Sequence, residues 1–240
     1  MSWFAHWFDS PYYHILYKNR DEKEAEFFID NLIAKLQLKK GNKLIDIACG
    51  KGRHATYFNK KGMDVVGIDL SENSIAVAKK MENSNLQFSV HDMREVFQEN
   101  HFDIATNLFT SFGYFEDAED EQKTINAMAK NLNSGGILIL DFLNAKKAIA
   151  NLVEQEKKDV DGIIFNISKK FDGKHIIKNI AFSDKGKDYH FQEKVKALSL
   201  AEFSVFIDTA GLKIIDIFGN YNLENFDATS SDRLILICKK

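Results

Sequence analysis

Asp46, Gly50 and Gly52 lie close together in KLIDIACGKGRHATYF, residues 43–58, where an apolar run carrying one acid opens into a glycine turn and then resumes with helical spacing. Glycine has no Cβ, so such a turn bends sharply from strand to helix and lets a ligand approach the backbone. The first N–H groups of the next helix lack intrahelical acceptors and attract acceptor atoms of a ligand. A nucleotide-like ligand suits that geometry, although many folds place glycine here simply to pack. Gly50-x-Gly52-x-x-Ala55, with Asp69 at the end of the following strand, also satisfies the dinucleotide fingerprint and its ribose-binding acid. Three features argue against a dinucleotide. Asp46 sits inside the strand, where a carboxylate repels a pyrophosphate but tolerates an ammonium or sulfonium. Asp92 in VHDMRE, just past the third strand, offers an acceptor for an adenine amino group. The chain also ends in two strands, LKIIDIFG and RLILICK, with no helix between them, so the last strand is free to run antiparallel to its neighbour.

The elements that must hold these residues alternate. Apolar residues at 25, 28, 29, 32, 33 and 36 mark an amphipathic helix that Gly41 stops. KLIDIA reads as a strand and RHATYFNKK as a helix closed by Gly62. MDVVGIDL is a strand, and SENSIAVAKKM a helix with Ser71 as its N-cap. LQFSV and FDIATNLF are further strands. EDEQKTINAMAKNL is a helix closed by Gly135-Gly136, and ILILDFL a buried strand. This order predicts an α/β fold with a doubly wound, mostly parallel sheet and helices on both faces. From about residue 160, IIFNISKKF, HIIKNIAF and YHFQEKVKAL alternate at period two around Asp172-Gly173 and the segment 184–187, which predicts an inserted antiparallel meander. The expected organisation is one domain over 1–240, with residues 1–40 as an N-terminal flap and helix and 155–198 as a meander or lid.

A chain of 240 residues with 45% hydrophobic and 28% charged residues and a net charge of −3 has no global attraction to nucleic acid or an anionic membrane. Its two cysteines, Cys49 and Cys238, suggest neither a disulfide framework nor a metal cluster, so a cytoplasmic setting is expected. No apolar stretch reaches the 18 residues of a membrane span, and no secretory signal is apparent.

DIACGKGRH, VVGIDLS, VHDMRE, FDIATNLFTSFGYF and GGILILDFLN together resemble the successive motifs of the class I S-adenosylmethionine-dependent methyltransferases. The similarity runs from about Tyr13 to the C-terminus and is closest to small-molecule enzymes with an antiparallel insertion, such as sugar N-methyltransferases. The resemblance implies S-adenosylmethionine (SAM) as cofactor and S-adenosylhomocysteine (SAH) as product. The family's acidic glycine turn becomes Asp46-x-Ala48-x-Gly50-x-Gly52, with alanine in place of the first glycine and Cys49 within the turn. Gly50 would flank the amino acid end of the cofactor. Asp69 would accept from both ribose hydroxyls, with Leu70 against the adenine, and Asp92 would bond the adenine amino group beside Met93. Asn107, Leu108 and Phe109 would line the methionine side, over which Tyr17 and Arg20 close.

Methyl transfer from a sulfonium needs alignment more than acid–base chemistry, so the reaction assigns no obligatory catalytic residue. NLFT at 107–110 lacks the Pro-Pro-aromatic element of amino-methylating nucleic-acid enzymes. The resemblance to small-molecule enzymes implies an acceptor that is a small molecule, methylated at nitrogen or oxygen, and the expected assembly is a monomer or homodimer. RNA, protein and a non-catalytic binding role are the alternatives, with an oxidoreductase behind them. Ligands of open α/β sheets bind beyond the strand ends, which nominates Tyr13, Phe112, Tyr114, Tyr221 and Arg233 for the acceptor, Arg233 by pairing with a carboxylate or phosphate. His175 and His190 are weaker candidates as bases. Trp3, Phe4, Trp7 and Phe8 repeat at helical spacing as an expected flap, while Lys169, Lys170, Lys174 and Lys178 read as a solvated face.

Overall fold

Strand β1, Lys43–Ile47, divides its apolar side chains between two cores: Ile45 and Ile47 face one, Leu44 the other. The computed structural model describes residues 7–18 and 22–240, so Trp3, Phe4 and Arg20 lie outside the described residues. Around β1 run β2 (Asp64–Asp69), β3 (Leu86–Val90), β4 (Phe102–Asn107) and β5 (Leu132–Leu143), all parallel. Beyond β5 come two late strands, β11 (Arg233–Lys239) and β10 (Lys213–Phe218), in the order β10-β11-β5-β4-β1-β2-β3. Strand β11 is antiparallel to both neighbours, as the missing helix before it allows. The strand order reverses at β1, between β2 and β4, and the crevice at such a reversal is where open sheets take ligands.

Helices α2 (Glu22–Leu36), α3 (Arg53–Lys60) and α4 (Glu72–Ala78) bury Phe28, Leu32, Phe58 and Ile75 on one face of the sheet. Helices α5 (Ala118–Asn131) and α7 (Leu200–Thr209) bury Ile125, Met128, Phe203 and Ile207 on the other. Ser71 caps α4 by accepting from Ser74 N, and Ser199 with Glu202 forms a capping box on α7. One boundary differs from the sequence reading. Helix α5 ends at Asn131, and β5 starts at once with Leu132. Gly135-Gly136 therefore lies inside β5, where the register with β4 shifts between Phe102 and Ile104, rather than closing the helix.

Between β5 and α7, after the short α6 (Ala145–Ala150), stands a separate four-stranded antiparallel sheet: β6 (Gln155–Val160), β7 (Ile163–Phe171), β8 (His175–Asp184) and β9 (Lys187–Lys196). Asp161-Gly162 and Lys185-Gly186 make its two-residue turns, all four residues at positive φ. The buried Lys196 at the end of β9 pairs with the equally buried Glu121 of α5 at 2.7 Å, and its backbone N–H bonds Gly113 O, which fastens the small sheet to the large one. The described N-terminal segment, with α1 (Pro11–Leu16), packs on the small sheet. Trp7 lies 4.5 Å from the Phe191 ring and Tyr12 4.6 Å from Phe182, and with Phe165, Ile167 and Ile180 they share a third core. Asp9 on the same segment accepts from Ser71 Oγ and Asn73 Nδ2, so the segment also reaches the start of α4. No helix among the described residues is long and apolar enough to cross a membrane.

Candidate active site

The glycine turn is held from below. Asp69, at the end of β2, accepts the Gly50 N–H through Oδ2 and the Ser71 N–H through Oδ1, each at 2.8 Å. A carboxylate offers about four lone-pair sites, so both oxygens keep capacity toward the cavity that Asp69 lines. Burial pushes this carboxyl above its ordinary value, against the opposing pull of the two N–H groups. Gly50 stands at φ +56, and a Cβ there would meet no protein atom within 4 Å, so the turn leaves open space for a ligand. Gly52 differs: it begins α3 at φ +81, and an added Cβ would fall 2.6 Å from the Phe88 ring. Gly52→Ala combines left-handed strain with overpacking and should lower stability by about 2 kcal/mol, read as a fall in the urea midpoint.

Of the residues predicted for the cofactor, the structure brings Tyr17, Ala48, Gly50, Asp69, Leu70, Asp92, Met93 and Phe109 to the wall of this one cavity. Leu70 is 44% exposed, an open apolar surface at the cavity wall. The Asp92 carboxylate is already engaged: Arg94 Nη2 donates to its Oδ2 at 2.6 Å, and the Arg94 N–H and Nε reach Oδ1 at 2.9 and 3.1 Å. An adenine amino group there would share an oxygen with the guanidinium. The remaining predictions sit behind the wall. Asp46 is buried under the turn and accepts from Thr106 Oγ1 at 2.8 Å. Cys49 is packed, its thiol pushed up by burial. Gly52 packs on Phe88, Asn107 donates to Ile47 O at 3.0 Å, and Leu108 belongs to the core on the α2–α4 side.

A second cavity adjoins the first. They share Tyr17, Phe109, Thr110, Tyr114 and Glu193, and the second extends to Tyr221, Arg233, Lys158, Lys169 and Lys178. Among the residues predicted for an acceptor, Tyr114, Tyr221 and Arg233 line it, while Tyr13 lines the first cavity. Phe112 lines neither, because it is fully buried against Phe203. Arg233 donates through Nε to the buried Asp141 at 2.7 Å, so an internal partner takes the role given to a substrate anion. His175 and His190 line neither cavity. Lys169 and Lys178 depart from a solvated face: the first pairs with Glu156 at 2.8 Å, the second donates to the Tyr17 hydroxyl, and both line the second cavity.

Between the cavities the backbone is strained. Phe109 and Thr110 both take positive φ, +60° and +61°, a conformation disfavoured for non-glycine residues. Asp141 holds them there: its Oδ2 accepts the Phe109 N–H at 2.9 Å and its backbone oxygen the Thr110 N–H at 3.0 Å, while Arg233 donates to Thr110 Oγ1.

A profile of the family described as a methyltransferase domain matches residues 38–195. The chain belongs to the methyltransferase-domain family. Among curated proteins this methyltransferase is 24% identical, over 71% of its length and 75% of the relative's, to a dTDP-3-amino-3,4,6-trideoxy-alpha-D-glucopyranose N,N-dimethyltransferase of Streptomyces venezuelae. Its fold is similar to that of an S-adenosylmethionine-dependent methyltransferase from Clostridium acetobutylicum, with TM-score 0.80, 20% identity and coverage of 98% and 97% of the two chains. It is also similar to a SAM-bound amino pentose methyltransferase from Micromonospora echinaspora, with TM-score 0.72, 17% identity and coverage of 96% and 97%.

Sequence reasoning missed several charged or titratable groups that line the methyltransferase's first cavity, among them His14, Arg94 and Glu193, while Phe8, named there only as part of the expected flap, lines it too. Burial, with Lys51 nearby, lowers the His14 imidazole to about 4, so it is neutral near pH 7. No signal in the sequence pointed to Glu193, which looks like one more charge on an alternating strand.

Proposed function

We propose that this methyltransferase takes its methyl group from SAM and delivers it to a nitrogen or oxygen of a small molecule. The observation that carries the reading is the pair of adjoining cavities at the carboxyl edge of the sheet. One opens over the glycine turn and Asp69, and the other lies between the two sheets. The residues present fit the cofactor: Gly50 leaves room for it, Asp69 keeps acceptor capacity for two hydroxyls, and Leu70 and Met93 offer apolar surface. When bound, the cofactor supplies a methyl already activated on a sulfonium. The chain's own work is then to hold the acceptor in line, an effect worth roughly 7–11 kcal/mol of barrier.

The second cavity's position behind the small sheet and the N-terminal segment favours a small acceptor over a polymer. The named substrates of similar enzymes, an amino sugar nucleotide and an amino pentose, support the same class. The same organisation supports residues 155–198 acting as a lid on one methyltransferase domain.

Calorimetric titration with SAH tests the cofactor. Wild-type protein should bind it, and Asp69→Ala should bind it about 1.5–3 kcal/mol more weakly, the range for hydrogen bonds to a charged group. Unchanged affinity removes Asp69 from the site. Binding of a nicotinamide dinucleotide in place of SAH overturns the function.

A further inference from the structure

Among the described residues, five line both cavities, and of these Glu193 of β9 is the only one with a formal charge. Its carboxylate is fixed from several directions. Trp7 Nε1–H donates to Oε1 at 2.8 Å, the Tyr17 hydroxyl lies 2.7 and 2.8 Å from the two oxygens, and Lys178 Nζ stands 3.6 Å from Oε2. The side chain is 17% exposed. A charge placed in advance and partly shielded from water acts more strongly on a neighbouring charge than it would in solution.

We infer that Glu193 receives the acceptor's nitrogen and stabilises the positive charge which that nitrogen acquires, so that the enzyme selects amines over hydroxyl acceptors. The inference rests on the methyl-transfer reading above and deepens it. In the transfer the amine lone pair forms the new N–C bond as the C–S bond breaks. The positive charge passes from sulfur, left as a neutral thioether, to nitrogen, and the resulting ammonium later releases a proton to water. Charge thus grows on the acceptor side, where Glu193 is the fixed carboxylate shared by both cavities. Interactions stronger in the transition state than in the ground state are those that accelerate a reaction. A hydroxyl acceptor would instead need its proton removed during attack. A carboxylate already accepting from Trp7 and Tyr17, with Lys178 close by, is better arranged as a fixed charge than as that base.

The test uses the SAH-loaded protein and a matched pair of probes, cyclohexylammonium and cyclohexanol, followed by saturation-transfer NMR. Wild type should give a saturable signal with the ammonium at least tenfold tighter than with the alcohol. Glu193→Gln keeps an acceptor oxygen for Trp7 and Tyr17 but removes the charge. It should weaken the ammonium at least tenfold, with each protein saturated with SAH at a concentration set by its own SAH titration. Equal affinity of wild type for the two probes overturns the inference, as does a Gln variant that binds the ammonium undiminished. The wild-type comparison decides even where the variant fails to fold. SAH binding without a preference for the cation sinks the role of Glu193 alone, whereas wild-type protein that does not bind SAH sinks the cofactor reading with it.

Discussion

Asp141→Ala should destabilise the protein by about 3–5 kcal/mol, the cost of leaving a buried charge without its partner. Asp141 is fully buried in the middle of the large sheet and gathers three donors: Arg233 Nε at 2.7 Å, Phe109 N–H at 2.9 Å and the Tyr221 hydroxyl at 3.2 Å. Arg233, whose side chain is only 19% exposed, would keep Thr110 Oγ1 but lose its counter-charge. Phe109 would lose the acceptor that helps hold its positive φ, so the strained link between the two cavities would relax as well. Two measurements separate these effects. Urea denaturation should show the loss in the single variant, and Asp141→Ala with Arg233→Met should recover much of it, since neither charge then remains. SAH titration should show weaker binding even in the recovered double variant, because Phe109 would still lack its acceptor. A single-variant loss below about 1 kcal/mol would mean that Arg233 escapes to solvent and that the pair is no more than a surface salt bridge.

The Asp141–Arg233 pair also shows where the sequence stops being legible. The two residues are 92 apart and meet only because β11 runs antiparallel to β5, with Ile235 opposite Asp141. Pattern reading placed both strands, and placed Arg233 near the sheet edge, but it had no means of supplying a partner across the ladder. The first half of the sheet was legible for the opposite reason. Strands β1 and β2 are short apolar runs that end at the glycine turn and at the capped start of α4, so Asp69 is placed by its local neighbours alone, and Asp92 follows in the same way two residues past the short run of β3. The small sheet divides the same way. Strands β7 and β8 bury every second residue over part of their length, β9 half-buries residues 189, 191 and 193, and all three were readable. Strand β6, Gln155–Val160, has only Val160 buried, and a run of mostly charged residues carries no apolar alternation to read. The Asp161-Gly162 turn was its one local signature. Helix α5 fails differently: Gly135-Gly136 is a sound stop signal, but pairing of Leu132 with Phe102 draws the chain into the sheet before the glycines are reached. Glu193 lies beyond pattern reading, since Trp7 and Tyr17 come to it from 186 and 176 residues away through docking of the N-terminal segment.

Asp46 should make stability fall as pH rises from about 4 to 7. Burial raises its carboxyl to about 7, with Thr106, the Ala55 amide and Arg53 easing the charge without offsetting the loss of water, and Asp69 nearby adding to the rise. In the unfolded chain the same group titrates near 3.8. A group whose folded value lies above its unfolded one binds its proton more tightly in the native state, so its contribution is complete below the unfolded value and is lost as pH climbs through the folded value. At about 1.4 kcal/mol for each pH unit of difference, the full loss is about 4 kcal/mol by pH 8. Asp46→Asn imitates the protonated acid: its amide oxygen still accepts from Thr106 and nothing ionises. Urea denaturation of both proteins at intervals between pH 4 and 8 reads the effect, because titrating groups that do not act on Asp46 cancel between the two, and the difference carries Asp46 together with its coupling to Asp69. The two should be nearly equal near pH 4, and the Asn variant should exceed wild type increasingly up to pH 7–8, with no further divergence above. A difference that stays constant across the range would show that Asp46 keeps an ordinary carboxylate beneath the glycine turn, and that the strand acid is solvated or paired in a way that relieves its burial.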